Sequence, residues 1–356
     1  MSAIAHPTPV IRVATPADFD AAGDVTELAF ATGPYSHLPR RPERVRFERD
    51  AAARAADGQV LVAERDELIV GTVSVLRAGT PFARRARDAE AELRLLAVAP
   101  DVQGIGIGRL LVAAAHEVAL EWGVASLVLD TGTRNSAAQR VYERHGFTRV
   151  SGGRATPGDS GASIEHVVFR LRLQPDDGLF VRLALPHEFD EVAALSLRAY
   201  ELDYEISAEY RESILAVGER AAEHQVWVVA DATTGALLGS VATPRRGATI
   251  SPLARSGELD FRLLAVDPSA RGRGVGARLT RHVIELARLR GLDRVVMNSG
   301  PQMVGAHALY EKLGFTRLVD REREIVDGGR RFRLLAFTID VDATAGHGPD
   351  ELGIAS

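Results

Sequence analysis

The chain has no cysteine, which excludes disulfides, thiolate metal ligands and a cysteine nucleophile. None of its ten histidines stands in a His-Glu-x-x-His pair, so no metal site is expected. No stretch approaches the roughly 20 apolar residues of a membrane span. Residues 1–10 also lack the basic start and apolar core of a secretory signal. A cytoplasmic protein without a membrane partner is the expectation. Excess positive charge is missing too. A formal net charge of -5 gives no general electrostatic attraction to nucleic acid, and small molecules are the expected partners.

What is present is an ordinary globular composition over 356 residues, 46% apolar and 26% charged, with room for two domains. Sliding the chain against itself finds one strong register. Residues 92–103 (ELRLLAVAPDVQ) fall on 260–271 (DFRLLAVDPSAR) with half the positions identical. Gly104, Gly106 and Gly108 then fall on Gly272, Gly274 and Gly276, and YERHGFTRV from Tyr142 falls on YEKLGFTRL from Tyr310. The repeat is too long for a solenoid unit and reads as a duplicated domain. Pro175-Asp176-Asp177-Gly178 interrupts two apolar runs and marks the boundary. Domains at 9–174 and 179–342 are expected, with a disordered, periodicity-free tail at 343–356 and a polar loop at 151–161.

Each half reads as an α/β unit with a mixed sheet, antiparallel at first and then strand-helix-strand-helix. An opening strand leads to helical sequence at 17–30 or 188–200 and then to a charged stretch. Hairpins follow, 60–63 with 68–75 and 226–230 with 236–242, and a strand at 93–98 ends before Pro100. Apolar residues at helical spacing predict a helix over 109–122, matched by Leu279, Val283, Leu286 and Leu289. Strands at 126–129 and 294–297 precede last helices at 136–144 and 301–313. Asn135 and Pro301 supply start signals, and Gly146 and Gly314 sit where a left-handed cap ends a helix.

A strand running through Gln103-Gly-Ile-Gly-Ile-Gly108, or Arg271-Gly-Arg-Gly-Val-Gly276, into a helix gathers backbone N–H groups at a positive helix end. That is an anion site. A plain tight turn remains open as a reading, as does dinucleotide binding. Gly272-x-Gly274-x-x-Ala277 fits the dinucleotide fingerprint, and Asp130 lies near the place of a ribose-binding acid. Against it, Arg109 fills the third small position in the first copy, and Asn298 replaces the acid in the second. A Walker-type loop is excluded because the Gly-Lys-Ser/Thr ending is missing.

Gln/Arg-x-x-Gly-x-Gly after a strand ending in Ala-Val, followed by a helix-borne Tyr-Glu-x-x-Gly-Phe, resembles the GNAT superfamily. The combination occurs as Gln103, Gly106, Gly108, Tyr142, Gly146 and Phe147, and again as Arg271, Gly274, Gly276, Tyr310, Gly314 and Phe315. The resemblance implies two tandem acyl-CoA N-acyltransferase folds using acetyl-CoA and a small-molecule amine, as a monomer or homodimer. It implies that the loops Gln103, Gly104, Ile105, Gly106, Ile107, Gly108, Arg109 and Arg271, Gly272, Arg273, Gly274, Val275, Gly276, Ala277 hold the pyrophosphate. It also implies that Leu96, Ala97, Val98 and Leu264, Ala265, Val266 pair with the pantetheine arm, and that Asn135 and Ala138 touch the coenzyme.

Tyr142 and Tyr310 match the family's general acid, and a phenol with pKa near 10 is protonated beside a thiol near 8.5. Glu92 and Asp260 match its base, with Glu90 and Glu258 of the same parity in reserve. Regular strand alternation sets Glu92, Arg94, Leu96 and Val98 on one face, and these acids stand ready to pair with Arg94 or Arg262. Tyr35, Tyr200 and Tyr204 lie in segments that wall the acceptor site of this family. Arg40, Arg41, Arg44, Arg46, Arg84, Arg85 and Arg87 form either a 3′-phosphate contact or a solvated face. A non-catalytic acyl-CoA sensor is the alternative class.

Overall fold

The computed structural model describes residues 9–150, 156–157 and 163–341. The chain divides into two compact units, with the break between Leu173 and Gln174. The expected loop at 151–161 lies largely outside the described residues, and the expected tail at 343–356 lies wholly outside them.

The first unit opens with β1 (Val10–Val13), whose Arg12 grips Asp18 at 2.6 and 2.8 Å. Asp18 also accepts the Thr15 amide and hydroxyl, closing the turn that launches α1 (Phe19–Ala31). The charged stretch beyond it, left unassigned from sequence, forms two short helices, α2 (Pro42–Arg49) and α3 (Ala51–Asp57). Pro42 begins the first and the Asp50 side chain caps the second. The sheet follows with β2 (Gly58–Arg65), β3 (Leu68–Arg77) and β4 (Glu90–Val98). Asp66 and Glu67, both at positive φ, turn the hairpin. After α4 (Ile107–Glu121) come β5 (Ser126–Gly132), α5 (Ser136–Arg144) and β6 (Thr148–Val150). A small pair, β7 (Thr156–Pro157) with β8 (Ser163–Ile164), precedes β9 (His166–Arg172). The main sheet runs β1-β2-β3-β4-β5-β9-β6, and only β4 and β5 are parallel.

The second unit repeats this order. Arg182 on β10 (Leu179–Leu183) holds Glu188 twice at 2.7 Å before α6 (Phe189–Glu201). Two short helices follow, α7 (Ala208–Leu215) and α8 (Val217–Glu223), and then β11 (His224–Asp231) and β12 (Leu237–Pro244). The counterpart of β4 is cut at Phe261 into β13 (Glu258–Asp260) and β14 (Arg262–Val266). Then come α9 (Val275–Arg290), β15 (Arg294–Ser299), α10 (Val304–Lys312), β16 (Thr316–Arg317), β17 (Arg323–Asp327) and β18 (Arg330–Asp340). The strands form one sheet ordered β10-β11-β12-β14 and another ordered β13-β15-β18-β16.

The helix after β4 is buried all round from Leu111 to Leu120, whereas the helix after β14 buries one face, with Leu279, Val283 and Leu286 in the core. Two helix starts differ from expectation. The helix expected at 109–122 begins at Ile107, because the turn ends at Gly106 (φ 96) and the next residue is already free to enter the helix. The helix expected at 301–313 begins at Val304, since its N-cap is Met303, which offers no side-chain acceptor, and not the Ser-Gly-Pro signal upstream. Gly146 (φ 95) and Gly314 (φ 91) end the last helices in the left-handed conformation expected of them.

Candidate active site

Each unit kinks the strand before its glycine loop at one leucine. Leu95 has φ 52 and Leu263 has φ 53, a conformation that costs any residue with a Cβ energy. Ser74 faces Arg94 while Thr72 faces Ala97, so Val73 opposes two residues, Leu95 and Leu96, in a β-bulge. In the second unit Ala242 faces Arg262 while Ser240 faces Ala265. The bulge overturns the expected alternation. Ala97 joins the face of Glu92 and Arg94, and Leu96 and Val98 turn to the other.

Just before the bulge the parallel strands part. β4 and β5 pair only from Glu90 to Glu92, and β13 and β15 only from Glu258 to Asp260. A wedge bordered by strand backbone therefore opens between 93–98 and 129–132, and between 262–266 and 297–299.

The glycine loops stand at the end of these strands. Gly104, Gly106, Gly272 and Gly274 all have positive φ, and a Cβ on any of them would meet nothing within 4 Å. Backbone conformation, not crowding, demands glycine there, and the space above it is open. Ile107 and Val275 bury themselves to begin the helices, leaving the first-turn amides without in-helix acceptors. Gln103 donates to the Val98 carbonyl at 3.0 Å, whereas Arg271 pairs with Asp203 at 2.7 Å. Ile105, Arg109 and Arg273 are exposed, and Gly108, Ala277 and Gly276 are half-buried. Asn135 caps α5 by accepting the Ala138 amide at 3.4 Å.

Tyr142 and Tyr310 are both buried in aromatic surroundings, Tyr142 against Phe147 and Phe169, and Tyr310 against Phe261, Phe315 and Phe337. Burial raises both phenols well above their usual range, helped by Asp130 at Tyr142 and by Tyr204 and Tyr210 at Tyr310. Both stay protonated at neutral pH.

The acids matched to the family's base are occupied in another way. Glu92 is wholly buried, and one of its oxygens accepts the amides of Arg84, Arg85 and Ala86 at 2.6, 2.5 and 3.1 Å. Its other oxygen lies 3.6 Å from Arg94 Nε. Asp260 accepts the Ile250 amide at 3.2 Å and the Ser251 hydroxyl at 2.6 Å. Each acid fastens the loop before its strand. Glu90 pairs with Arg170 at 2.9 Å. Burial alone would raise the Glu258 carboxyl, but two hydrogen bonds donated by Arg321 at 2.5 and 2.8 Å hold it below its usual value. Glu258 is thus a poor proton acceptor, tied up as an ion pair.

Strand pairing places Asp130 and His166 on the same face as Glu92 and Arg94. Arg94 faces Ser74, which Arg54 of α3 reaches at 3.0 Å, so this is the face under α3. Glu92 is in register with Val128, hence with Asp130 two residues on, and His166 faces Gly132. Glu92, Arg94, Asp130 and His166 therefore project together. Asp130 takes Arg85 at 2.8 and 2.9 Å, with His166 Nδ1 at 3.6 Å and Arg84 at 3.8 Å. Burial alone would raise the Asp130 carboxyl, but Arg84 and Arg85 hold it below its usual value. Tyr35 sits at Gly132 and accepts the Arg134 amide at 2.9 Å. In the second unit Tyr200 contacts Tyr204 and Tyr210 and donates to the Leu264 carbonyl at 3.3 Å.

Sequence reasoning missed His166, and it met Asp130 only as a ribose-binding candidate. The signal was where the halves differ, Asp130 against Asn298.

Bulged, splayed strands closed by a glycine-led helix and a tyrosine-bearing helix give each unit the same mixed α/β fold. The model of the acetyltransferase (GNAT) family matches 24–147 and 189–315, more than half of the residues, and the chain belongs to that family in two copies. It is 38% identical over 104 residues to glucosamine 6-phosphate N-acetyltransferase 1 of Oryza sativa subsp. japonica, covering 29% of this chain and 58% of that protein. It is 41% identical over 91 residues to mycothiol acetyltransferase of Beutenbergia cavernae, covering 26% and 28%. These matches therefore span less than two thirds of either relative. A structure of PaiA N-acetyltransferase from Thermoplasma acidophilum in complex with coenzyme A is similar at 17% identity and TM-score 0.37, over 47% of this chain and 100% of that one. Among the described residues no helix is long and apolar enough to cross a membrane.

Proposed function

We propose that the chain is an N-acetyltransferase that moves acetyl from acetyl-CoA to a primary amine by direct attack, in units spanning 9–174 and 179–342. The observation that carries this reading is the wedge beside an open glycine cradle, present twice. The residues fit the coenzyme. Amides along 104–108 and 272–276 suit a pyrophosphate, although Arg273 gives its own to the Ala270 carbonyl at 3.3 Å; Gly104, Gly106, Gly272 and Gly274 keep the space above clear, and strand backbone at 96–98 and 264–266 borders the wedge.

When bound, acetyl-CoA supplies an activated acetyl thioester. Tyr142 or Tyr310 donates a hydrogen bond to the departing sulfur and then its proton. The raised pKa makes full transfer to a thiolate near 8.5 uphill, so the hydrogen bond gives most of the assistance. Glu92 and Asp260 position the loops before the bulge. In the first unit His166 receives the amine proton, because burial holds the imidazole below 6.5 and neutral at pH 7.

The test is turnover. Tyr142→Phe and Tyr310→Phe should each cut their own unit's rate on the order of a hundredfold while sparing acetyl-CoA affinity. A double variant with the full rate sinks the reading of both tyrosines. The duplicated layout, together with the identity to mycothiol acetyltransferase, supports a second reading of the acceptor, the amine precursor of mycothiol. Offering that amine to the purified chain decides it.

A further inference from the structure

Identical positions in the two units build different walls on the acceptor face. The twelfth residue of α1 is Phe30 and that of α6 is Tyr200; the third residue of α2 is Arg44 and that of α7 is Tyr210. Each pair is in contact, with the Arg44 guanidinium 5.7 Å from the Phe30 ring centre and the Tyr200 and Tyr210 rings 5.7 Å apart. The same frame thus carries a cation in the first unit and a phenol in the second.

More cations gather around Arg44. Arg94, which is buried, and Arg44, which is half-buried, both lie 5.2 Å from the Phe47 ring centre. Arg84 and Arg85 come from the loop fastened by Glu92, whereas the loop fastened by Asp260 reads Ile250-Ser251-Pro252-Leu253. Arg262, the counterpart of Arg94, is exposed. Arg40 lies near Glu27 and shares Glu48 with Arg44. Counting Arg40, Arg44, Arg54, Arg84, Arg85 and Arg94 against Glu27, Glu48, Asp50, Glu92 and Asp130 leaves one positive charge in excess. Arg84 is the least committed, 43% exposed with its carboxylate at 3.8 Å. Burial, and then Arg84 beside it, lower Arg94 to about 10, still charged at neutral pH.

We propose that the first unit takes an amine acceptor bearing an anionic group, carboxylate or phosphate, held by Arg84 and Arg94, while the second unit does not. The inference rests on the acetyltransferase reading. Guanidinium forks suit both groups, and a bound anion balances the excess charge beside His166.

The experiment compares β-alanine, O-phosphoethanolamine and neutral ethanolamine as acceptors for the full chain, with free CoA thiol as readout. In the Tyr310→Phe chain at least one anionic amine should exceed ethanolamine about tenfold or more in kcat/KM. Which of the two prevails separates carboxylate from phosphate. Arg84→Gln, at an exposed position, should bring that ratio close to one, chiefly through KM. A ratio near one in the parent, a ratio that survives both Arg84→Gln and Arg94→Lys, or transfer to anionic amines lost in Tyr310→Phe but kept in Tyr142→Phe overturns the proposal. Should no amine be acetylated, the transferase reading fails by itself, and calorimetry of the CoA-loaded chain with each anionic amine judges the anion site. Binding of either that Arg84→Gln removes upholds it, and binding of neither overturns it.

Discussion

His166 holds its proton state in a crowded setting. Burial lowers its pKa below 6.5, Asp130 pulls the other way, and Arg84, Arg85 and Arg44 push it further down. The imidazole is therefore the free base at pH 7 and is lost as an acceptor when pH falls through its own lower value. In the Tyr310→Phe chain, kcat/KM should drop on an acid limb centred below 6.5. His166→Gln should remove that limb and cost on the order of a hundredfold near neutrality. A variant with the parental limb places the base elsewhere. Tyr142 was readable from sequence because Tyr-Glu-x-x-Gly-Phe ends a helix at a glycine with positive φ. His166 was not, because it meets Asp130 only through strand pairing across β5 and β9, which no local pattern reports. Glu92, expected at its strand start, is the third residue of β4, and its amide partners come from a loop whose path the sequence does not reveal.

At the scale of elements, the wedge adjoins a bulge that composition conceals. Leucine is an ordinary strand residue, so neither Leu95 nor Leu263 advertises its left-handed backbone. The alternation read through them was therefore sound up to Arg94 and wrong beyond it. Helix positions read from periodicity came out within a few residues, while the short helices α2, α3, α7 and α8 escaped because charged stretches carry little apolar period. The start of α9 also presses on the sheet. A Cβ at Gly239 would lie 2.7 Å from the Ala265 carbonyl oxygen and 2.8 Å from Val275. Its counterpart Gly71 has more room, with Ile107 and Leu111 each at 3.1 Å. Gly239→Ala should therefore destabilise the chain by about 1–3 kcal/mol, and Gly71→Ala by less. Denaturant midpoints check this, and an unshifted midpoint for Gly239→Ala would show that the helix start yields freely.

Across the whole molecule, duplication was the most legible feature, because the glycine loops and the Tyr-Glu-x-x-Gly-Phe segments recur in one register. Both units keep the bulge, the wedge and the open cradle, so calorimetric titration with acetyl-CoA should give two equivalents per chain. One equivalent would mean that one wedge is not competent. No binding by folded, coenzyme-free protein would remove the donor from the proposed reaction. The strained leucines also bear on docking. Because folding itself fixes the left-handed kink, no strand has to be prised from its neighbour when a donor arrives. Docking in each unit therefore spends nothing on separating strands.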